Sequence, residues 1–148
     1  MKIQTKYLSE VEIEEYKIIQ FPFGLPGFVH ETQFVLLDLP DNPIFQILQS
    51  IASANVAFIV TNPYQIYEEY TFELDESLME SLQIKKEIEV AVLSIVTLKN
   101  PFKTSTLNMK APIIINTTLR QGKQYILNSE DYSSKASIIP PVAEREVK

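Results

Sequence analysis

Apolar and polar residues alternate along much of this 148-residue chain with the two-residue period of half-buried strands. Ile3, Thr5 and Tyr7 lie on one side of Ser9-Glu10, and Val11 and Ile13 on the other, which predicts an opening hairpin. Phe34-Val35-Leu36-Leu37-Asp38-Leu39 is a short apolar run stopped by Pro40-Asp41-Asn42-Pro43, the pattern of a buried strand ending in a turn. Ile44, Ile47, Leu48 and Ile51 fit a helical period as well as a strand. The brevity of that run and the strongly β-forming Val56-Ala57-Phe58-Ile59-Val60-Thr61 after it favour strand, closed by Asn62-Pro63. Valine and isoleucine dominate Glu87 to Leu98, and Leu107 to Thr118 centres on Ile113-Ile114-Ile115, so two more strands are predicted. Arg120-Gln121-Gly122-Lys123 is expected to turn the chain back into Gln124-Tyr125-Ile126-Leu127, with Gly122 supplying the positive φ of a tight hairpin.

A single helix is predicted where Leu74, Leu78 and Leu82 share a stripe. Asp75 or Ser77 would cap it, and Glu80 stands three residues after Ser77 as in a capping box. The expected fold is therefore mainly β, a single antiparallel barrel-like or sandwich domain with one short helix, over residues 1–132. Beyond Tyr132 the pattern fades into Ser133-Ser134 and Pro140-Pro141, so 133–148 is expected to be a flexible C-terminal tail.

Composition changes this picture mainly by exclusion. The chain has no cysteine, which removes disulfides, thiolate metal sites and thiol chemistry and suits a reducing cytoplasm. Its first residues, Met1-Lys2-Ile3-Gln4-Thr5-Lys6-Tyr7, lack the apolar stretch of a signal peptide, and a cytoplasmic location is expected. Asn42 to Tyr67 carries no charge, but its amides, hydroxyls and bracketing Pro43 and Pro63 fit a core segment better than a membrane span. Without a secretory route, the sequon Asn116-Thr117-Thr118 is incidental.

The net charge of -6 is unevenly spread. Residues 1–89 hold fifteen acids and five bases, whereas residues 90–129 hold five bases, Lys99, Lys103, Lys110, Arg120 and Lys123, and no acid. Between Gln65 and Ile84 six acids occur without a base: Glu68, Glu69, Glu73, Asp75, Glu76 and Glu80. Such a run is ordinarily a solvated face. The sharper reading is a docking surface for a basic protein, with Glu68, Glu69, Glu73 and Asp75 as contacts and Asn55 and Tyr70 as neighbours. Nucleic acid would be repelled from that face, and the five dispersed bases form no phosphate-binding cluster.

The catalytic inventory is thin. One histidine, His30, cannot build a multi-histidine metal site, no serine sits in a nucleophile motif, and three glycines cannot write a phosphate-cradling loop. Neighbouring acids such as Glu68-Glu69 or Asp75-Glu76 leave a barrel hydrolase only as a remote alternative, since adjacency in sequence does not bring two carboxyls into one cleft. No catalytic residue, metal or cofactor is assigned.

The densest motif is Phe21-Pro22-Phe23-Gly24-Leu25-Pro26-Gly27-Phe28, which concentrates two of three glycines and two of nine prolines between phenylalanines. It predicts a rigid, partly buried corner. Together with Phe34-Val35-Leu36-Leu37, Ile47-Leu48-Gln49-Ser50, Ala57-Phe58-Ile59-Val60 before Asn62-Pro63, and Asn108-Met109-Lys110-Ala111-Pro112-Ile113-Ile114-Ile115-Asn116, it resembles the flagellar assembly factor family FliW, in order and spacing, over about the first 127 residues. That resemblance implies a non-enzymatic β-barrel-like protein that binds and antagonises CsrA, an RNA-binding translational repressor, and also binds flagellin, which draws the factor away from CsrA. It carries over Gly24, Pro26, Gly27 and Phe28 as a shaping corner. Asn108, Ala111, Pro112 and Asn116 carry over as the block entering and leaving the late strand, where Pro112 must sit at an edge or bulge. A chaperone-like β-domain that binds flagellin alone is the competing reading.

Overall fold

The computed structural model describes residues 1–140. Two short strands, β1 (Lys2–Gln4) and β2 (Glu10–Glu12), pair as the expected opening hairpin. The main sheet contains β3 (Ile19–Gln20), β4 (Gln33–Leu39), β5 (Asn42–Ser50), β6 (Ala57–Thr61), β7 (Val90–Thr97), β8 (Thr106–Leu107), β9 (Ile113–Asn116), β10 (Gln121–Gln124) and β11 (Ala136–Ser137). Its order is β11-β8-β7-β6-β5-β4-β3-β10-β9, and β9 pairs back onto β7 through Val90↔Asn116 to Leu93↔Ile113. Seven strands, β3 to β7 with β9 and β10, thus close on themselves, while β8 and β11 extend the far end of β7. Among the described residues the fold is mainly β with one α-helix, α1 (Glu76–Ser81). Among the described residues the pairings are antiparallel except one: Gln121 of β10 pairs parallel to Gln20 of β3, and this contact seals the barrel.

The apolar triplets predicted as strand centres are apolar because both of their faces are covered. Ile113 and Ile115 point into the barrel with Ile19, Phe21, Leu25, Phe34, Leu48, Val60 and Leu93. Ile114, facing the other way as strand alternation requires, packs under Leu78 of α1 and Leu82 at its C-terminal cap. Leu48 and Ile47 divide in the same manner, Leu48 inward and Ile47 into an outer cluster with Phe45, Ile59, Tyr70, Val96, Leu107, Met109, Leu127 and Ile138. The ambiguous stretch from Ile44 is accordingly strand, paired with β4 on one side and β6 on the other.

The Phe-Pro-Gly segment forms the predicted corner. Leu25 and Phe28 exchange backbone hydrogen bonds around Pro26-Gly27, and Gly27 at φ +85° fills the position of a tight turn that rejects a side chain. Gly24, at φ +65°, leaves a Cβ only 2.4 Å from the Phe28 carbonyl oxygen, so backbone proximity and dihedral both demand glycine. The three phenylalanines do not share one fate: Phe21 is fully buried, whereas Phe23 is 66% exposed and Phe28 lies at the surface with its ring edge-on to Phe58.

Three expectations change on the structure. Gly122 makes no turn; it lies inside β10, and the turn before it is built by Asn116, whose Oδ1 accepts from the Thr118 and Leu119 amides, and by Arg120 at φ +57°. Asp75, not Ser77, caps α1, its Oδ1 accepting from the Leu78 amide at 2.8 Å; Ser77 falls within the helix, so no box forms with Glu80. Residues 133–140 do not trail from the domain. The Met109 amide donates to the Ser133 carbonyl, Ala136 and Ser137 pair with β8, and Ile138 is buried in the outer cluster, so these contacts tie the expected tail to the barrel. The remainder of that tail, 141–148, lies outside the described residues.

Candidate partner-binding surface

The acidic segment leaves β6 through Asn62, whose Oδ1 accepts from the Tyr64 amide and starts a single 3-10 turn at Pro63–Gln65. From there to α1 the backbone has no regular partner, and tyrosines supply the anchors. The Tyr70 hydroxyl donates to the Met109 carbonyl at 2.7 Å. Its ring lies 4.7 Å from Tyr132, 5.2 Å from Phe72 and 5.4 Å from Tyr64. The Tyr132 hydroxyl holds both sides of Thr71, accepting from its amide at 3.0 Å and donating to its carbonyl at 2.8 Å. Tyr67 donates to the Ser137 carbonyl at 2.6 Å, and Tyr125 reaches the Asp75 carboxylate at 3.3 Å. Burial pushes the phenols of Tyr64, Tyr67, Tyr70 and Tyr125 above their ordinary range, Tyr70 furthest, with Tyr64 and Tyr132 adding to its shift. A phenol is protonated at neutral pH in any case; the shift keeps the Tyr67, Tyr70 and Tyr125 donors protonated further into the alkaline range. Of the segment expected to be a flexible tail, the Ser137 carbonyl supplies one of these anchors.

On this frame the predicted residues separate. Glu68, Glu69 and Glu73 are exposed, and the ion pairs among the described residues, Met1–Glu12, Lys2–Glu10 and Lys110–Glu130, include none of them. Asp75 is exposed too, but both of its oxygens already serve the fold, one as helix cap and one toward Tyr125. Tyr70 is 4% exposed and is a core anchor rather than a surface neighbour. Asn55 sits in the turn that precedes β6, whereas the acids follow the strand's other end, and the four steps along Ala57–Thr61 span roughly 13 Å. Asn55 is exposed there.

In the second motif block Asn108, Ala111, Pro112 and Asn116 each bond within the fold. Asn108 Oδ1 accepts from the Lys110 and Ala111 amides, turning the chain into β9, and the Ala111 carbonyl accepts from Gln124 Nε2 at 3.0 Å. Pro112 lies just ahead of β9, where a missing N–H costs nothing, and its carbonyl accepts from the Tyr125 amide. Asn116, fully buried, donates from Nδ2 to the Leu82 carbonyl at 2.8 Å, tying β9 to the end of α1.

Sequence reasoning missed a groove of about 600 Å³ beside the acidic loop. Phe72, Leu74, Met79, Ile84, Val90 and Val92 line it, with Glu73, Lys85, Lys86 and Glu87 also on its walls. Its lower edge is the turn Lys85–Glu89, fixed because Glu89 Oε1 accepts from the Lys85 and Lys86 amides at 2.9 Å each. Those two bonds hold the Glu89 carboxyl below its usual range. Ile88, within this turn, is 88% exposed.

His30 is exposed, and among the described residues no three His, Asp or Glu side chains gather as a metal site needs. No helix among the described residues is long and apolar enough to cross a membrane.

Comparison with known proteins agrees with the architecture. A family model described as FliW protein matches residues 2–138, which includes β11 and Ile138. A flagellar assembly factor FliW of Oceanobacillus iheyensis is 54% identical over 147 residues, covering 99% of this chain and 100% of that protein. A protein of the same name from Bacillus subtilis is 44% identical over 138 residues, 93% of this chain and 96% of its own. A crystal structure of the flagellar assembly factor FliW superposes with a TM-score of 0.90 at 41% identity, across 95% of this chain and 98% of that one. Sequence similarity over nearly the whole length and a shared fold lead to one conclusion: the chain belongs to the FliW family of flagellar assembly factors.

Proposed function

We propose that this protein works in the cytoplasm by occupying two partners in turn, the translational repressor CsrA and flagellin, and performs no chemistry on either. The observation that carries the reading is the set of exposed carboxylates Glu68, Glu69 and Glu73, free of ion pairs among the described residues and mounted on a loop that four tyrosine hydroxyls hold in place. A fixed cluster of unneutralised acids attracts and orients a basic protein while repelling nucleic acid, so a repressor would be met through its protein surface and not through mimicry of RNA. The identities of the two partners come from the family resemblance set out above. Switching then needs only mass action: if each partner weakens the other's binding, accumulating flagellin withdraws the factor and frees the repressor.

Titration calorimetry of the purified chain against CsrA, against flagellin, and against CsrA after saturation with flagellin tests this. Binding to both, with the second titration weakened, is the expected result. Binding to flagellin alone would support the chaperone-like reading, and binding to neither would refute both. No observation favours a hydrolase: the acids run along one exposed loop, and Asp75 is committed to capping α1.

A further inference from the structure

We propose that the β1–β2 hairpin is a flap: it detaches from the outer face of β4 and melts as one unit while the barrel stays closed. Among the described residues β1 and β2 pair only with each other, and a single hydrogen bond joins residues 1–13 to the barrel, from the Lys6 amide to Gln49 Oε1 at 3.0 Å. Gln49 is the barrel's side of this latch. It is fully buried in β5, and its Nε2 donates to the Ser50 and Ala54 carbonyls at 2.9 and 3.1 Å, so it keeps its place when Lys6 leaves. Side-chain packing supplies the rest of the attachment. Ile3 and Ile13 are buried against Val35, with Val11, Ile18, Leu37 and Ile51 partly covered around them, and Leu8 rests on the outer cluster.

A hinge and a gap accompany this thin attachment. The chain is fastened again at Lys17, whose carbonyl accepts from Arg120 Nη2 at 2.6 Å, and at Gln20, whose amide donates to the Arg120 carbonyl at 2.8 Å. Glu14, Glu15 and Tyr16, between Ile13 and that anchor, are all exposed, which places the hinge there. A cleft of about 360 Å³ runs beneath the hairpin, with Glu12, Ile13 and Lys17 on one wall and Val35, Leu37 and Asp38 on the other, so β2 is not packed flush on β4 along that side. A lone two-stranded hairpin is at best marginally stable in water, and segments with few buried apolar contacts open at a lower free energy than the core. Once Ile3 and Ile13 leave Val35, little keeps β1 and β2 paired, and detachment and melting coincide. The main-sheet ladders are untouched by this motion. The protein thereby has two surfaces at β4, one closed with Val35 covered and one open with its outer apolar face in water.

The chain has no cysteine, so Val35→Cys places a single thiol at a site 2% exposed, and its labelling by an aromatic disulfide reagent reads the opening. Hydrogen exchange in rising urea, followed by NMR in that variant and in wild type, reads the Thr5 and Ile13 amides of the hairpin against the amides of β5 and β9. The thiol, Thr5 and Ile13 should share one opening constant, roughly tenfold or more above that of β5 and β9, with a shallower urea dependence because less surface is exposed. Ile3→Ala should raise that constant roughly tenfold or more. Gly122→Ala, at the barrel seam, should speed exchange in β9 and leave Thr5 and Ile13 unchanged, because the barrel is closed whether the flap is down or up. Hairpin amides that open only with the barrel, hairpin amides that exchange while the thiol stays unlabelled, an opening constant unmoved by Ile3→Ala, or equal response of hairpin and β9 to Gly122→Ala would each overturn the inference. All but the second are read without the cysteine, so a Val35→Cys chain that fails to fold leaves the test in force.

Discussion

A Cβ placed on Gly122 would lie 2.6 Å from both Cε2 and Cζ of the Phe21 ring. Gly122 sits in β10 and Phe21 directly follows β3, so this pair marks the parallel contact where the barrel closes. The glycine is there for proximity and has no left-handed dihedral to justify it. Phe21 is fully buried and edge-on to Phe34 at 5.4 Å, so the ring has nowhere to retreat. Gly122→Ala is expected to cost about 1–3 kcal/mol by overpacking, read as a lower urea midpoint with an unchanged slope.

Asn116 joins two elements that no ladder connects, β9 and the end of α1. Asn116→Ala strands the buried Leu82 carbonyl and two turn amides, with an expected loss of about 2–3 kcal/mol. Hydrogen exchange in α1 should speed up before exchange in β9 does, since the strand keeps its partners β7 and β10.

The tyrosine anchors predict a specific alkaline response. Tyr70's folded-state pKa is raised, so its contribution to stability is complete below the ordinary phenol value of about 10 and is lost as pH rises through the folded value. Tyr70→Phe removes the hydrogen bond to Met109 at a cost of about 1 kcal/mol near neutrality. It should also flatten the fall in thermal midpoint above pH 10. An unaltered alkaline limb in the variant would show that Tyr70 does not control it.

Glu89 predicts the opposite edge of the pH range. Its carboxyl is held low by the Lys85 and Lys86 amides, so the clasp is intact above the ordinary glutamate value of about 4.3 and opens as pH falls through the folded value. The amide resonances of Lys85 and Lys86 should titrate together in acid, and Glu89→Gln should abolish that joint transition.

Reversing Glu68 and Glu69 to lysine should leave the melting temperature unchanged, because both side chains are exposed and neither is ion-paired among the described residues. Association with a basic partner should slow at low salt, and the difference from wild type should shrink as salt rises. Identical rates at low salt would reduce the acidic band to a solvated face.

Much of the fold was legible because strand alternation and turn chemistry are local. The run Ile113-Ile114-Ile115 and the Pro26-Gly27 turn each declare themselves within a few residues, whereas the cap of α1 stood open between Asp75 and Ser77 until the structure placed it on Asp75. The FliW-like order of motifs was likewise present in the chain itself, and so was the run of acids between Gln65 and Ile84. What only the tertiary structure decided involves residues far apart in sequence. Gly122 reads as a turn glycine until Phe21 is laid on it, and Tyr70 reads as a surface neighbour until its hydroxyl finds Met109. Residues 133–138 read as a tail because their periodicity is weak, yet Ile138 and β11 gain partners in the outer cluster and β8. A linear pattern records each residue's own preference for water or backbone geometry; it does not record which distant surface closure of the barrel will bring against it, and that closure set both the tyrosine-held acidic loop and the groove beside it.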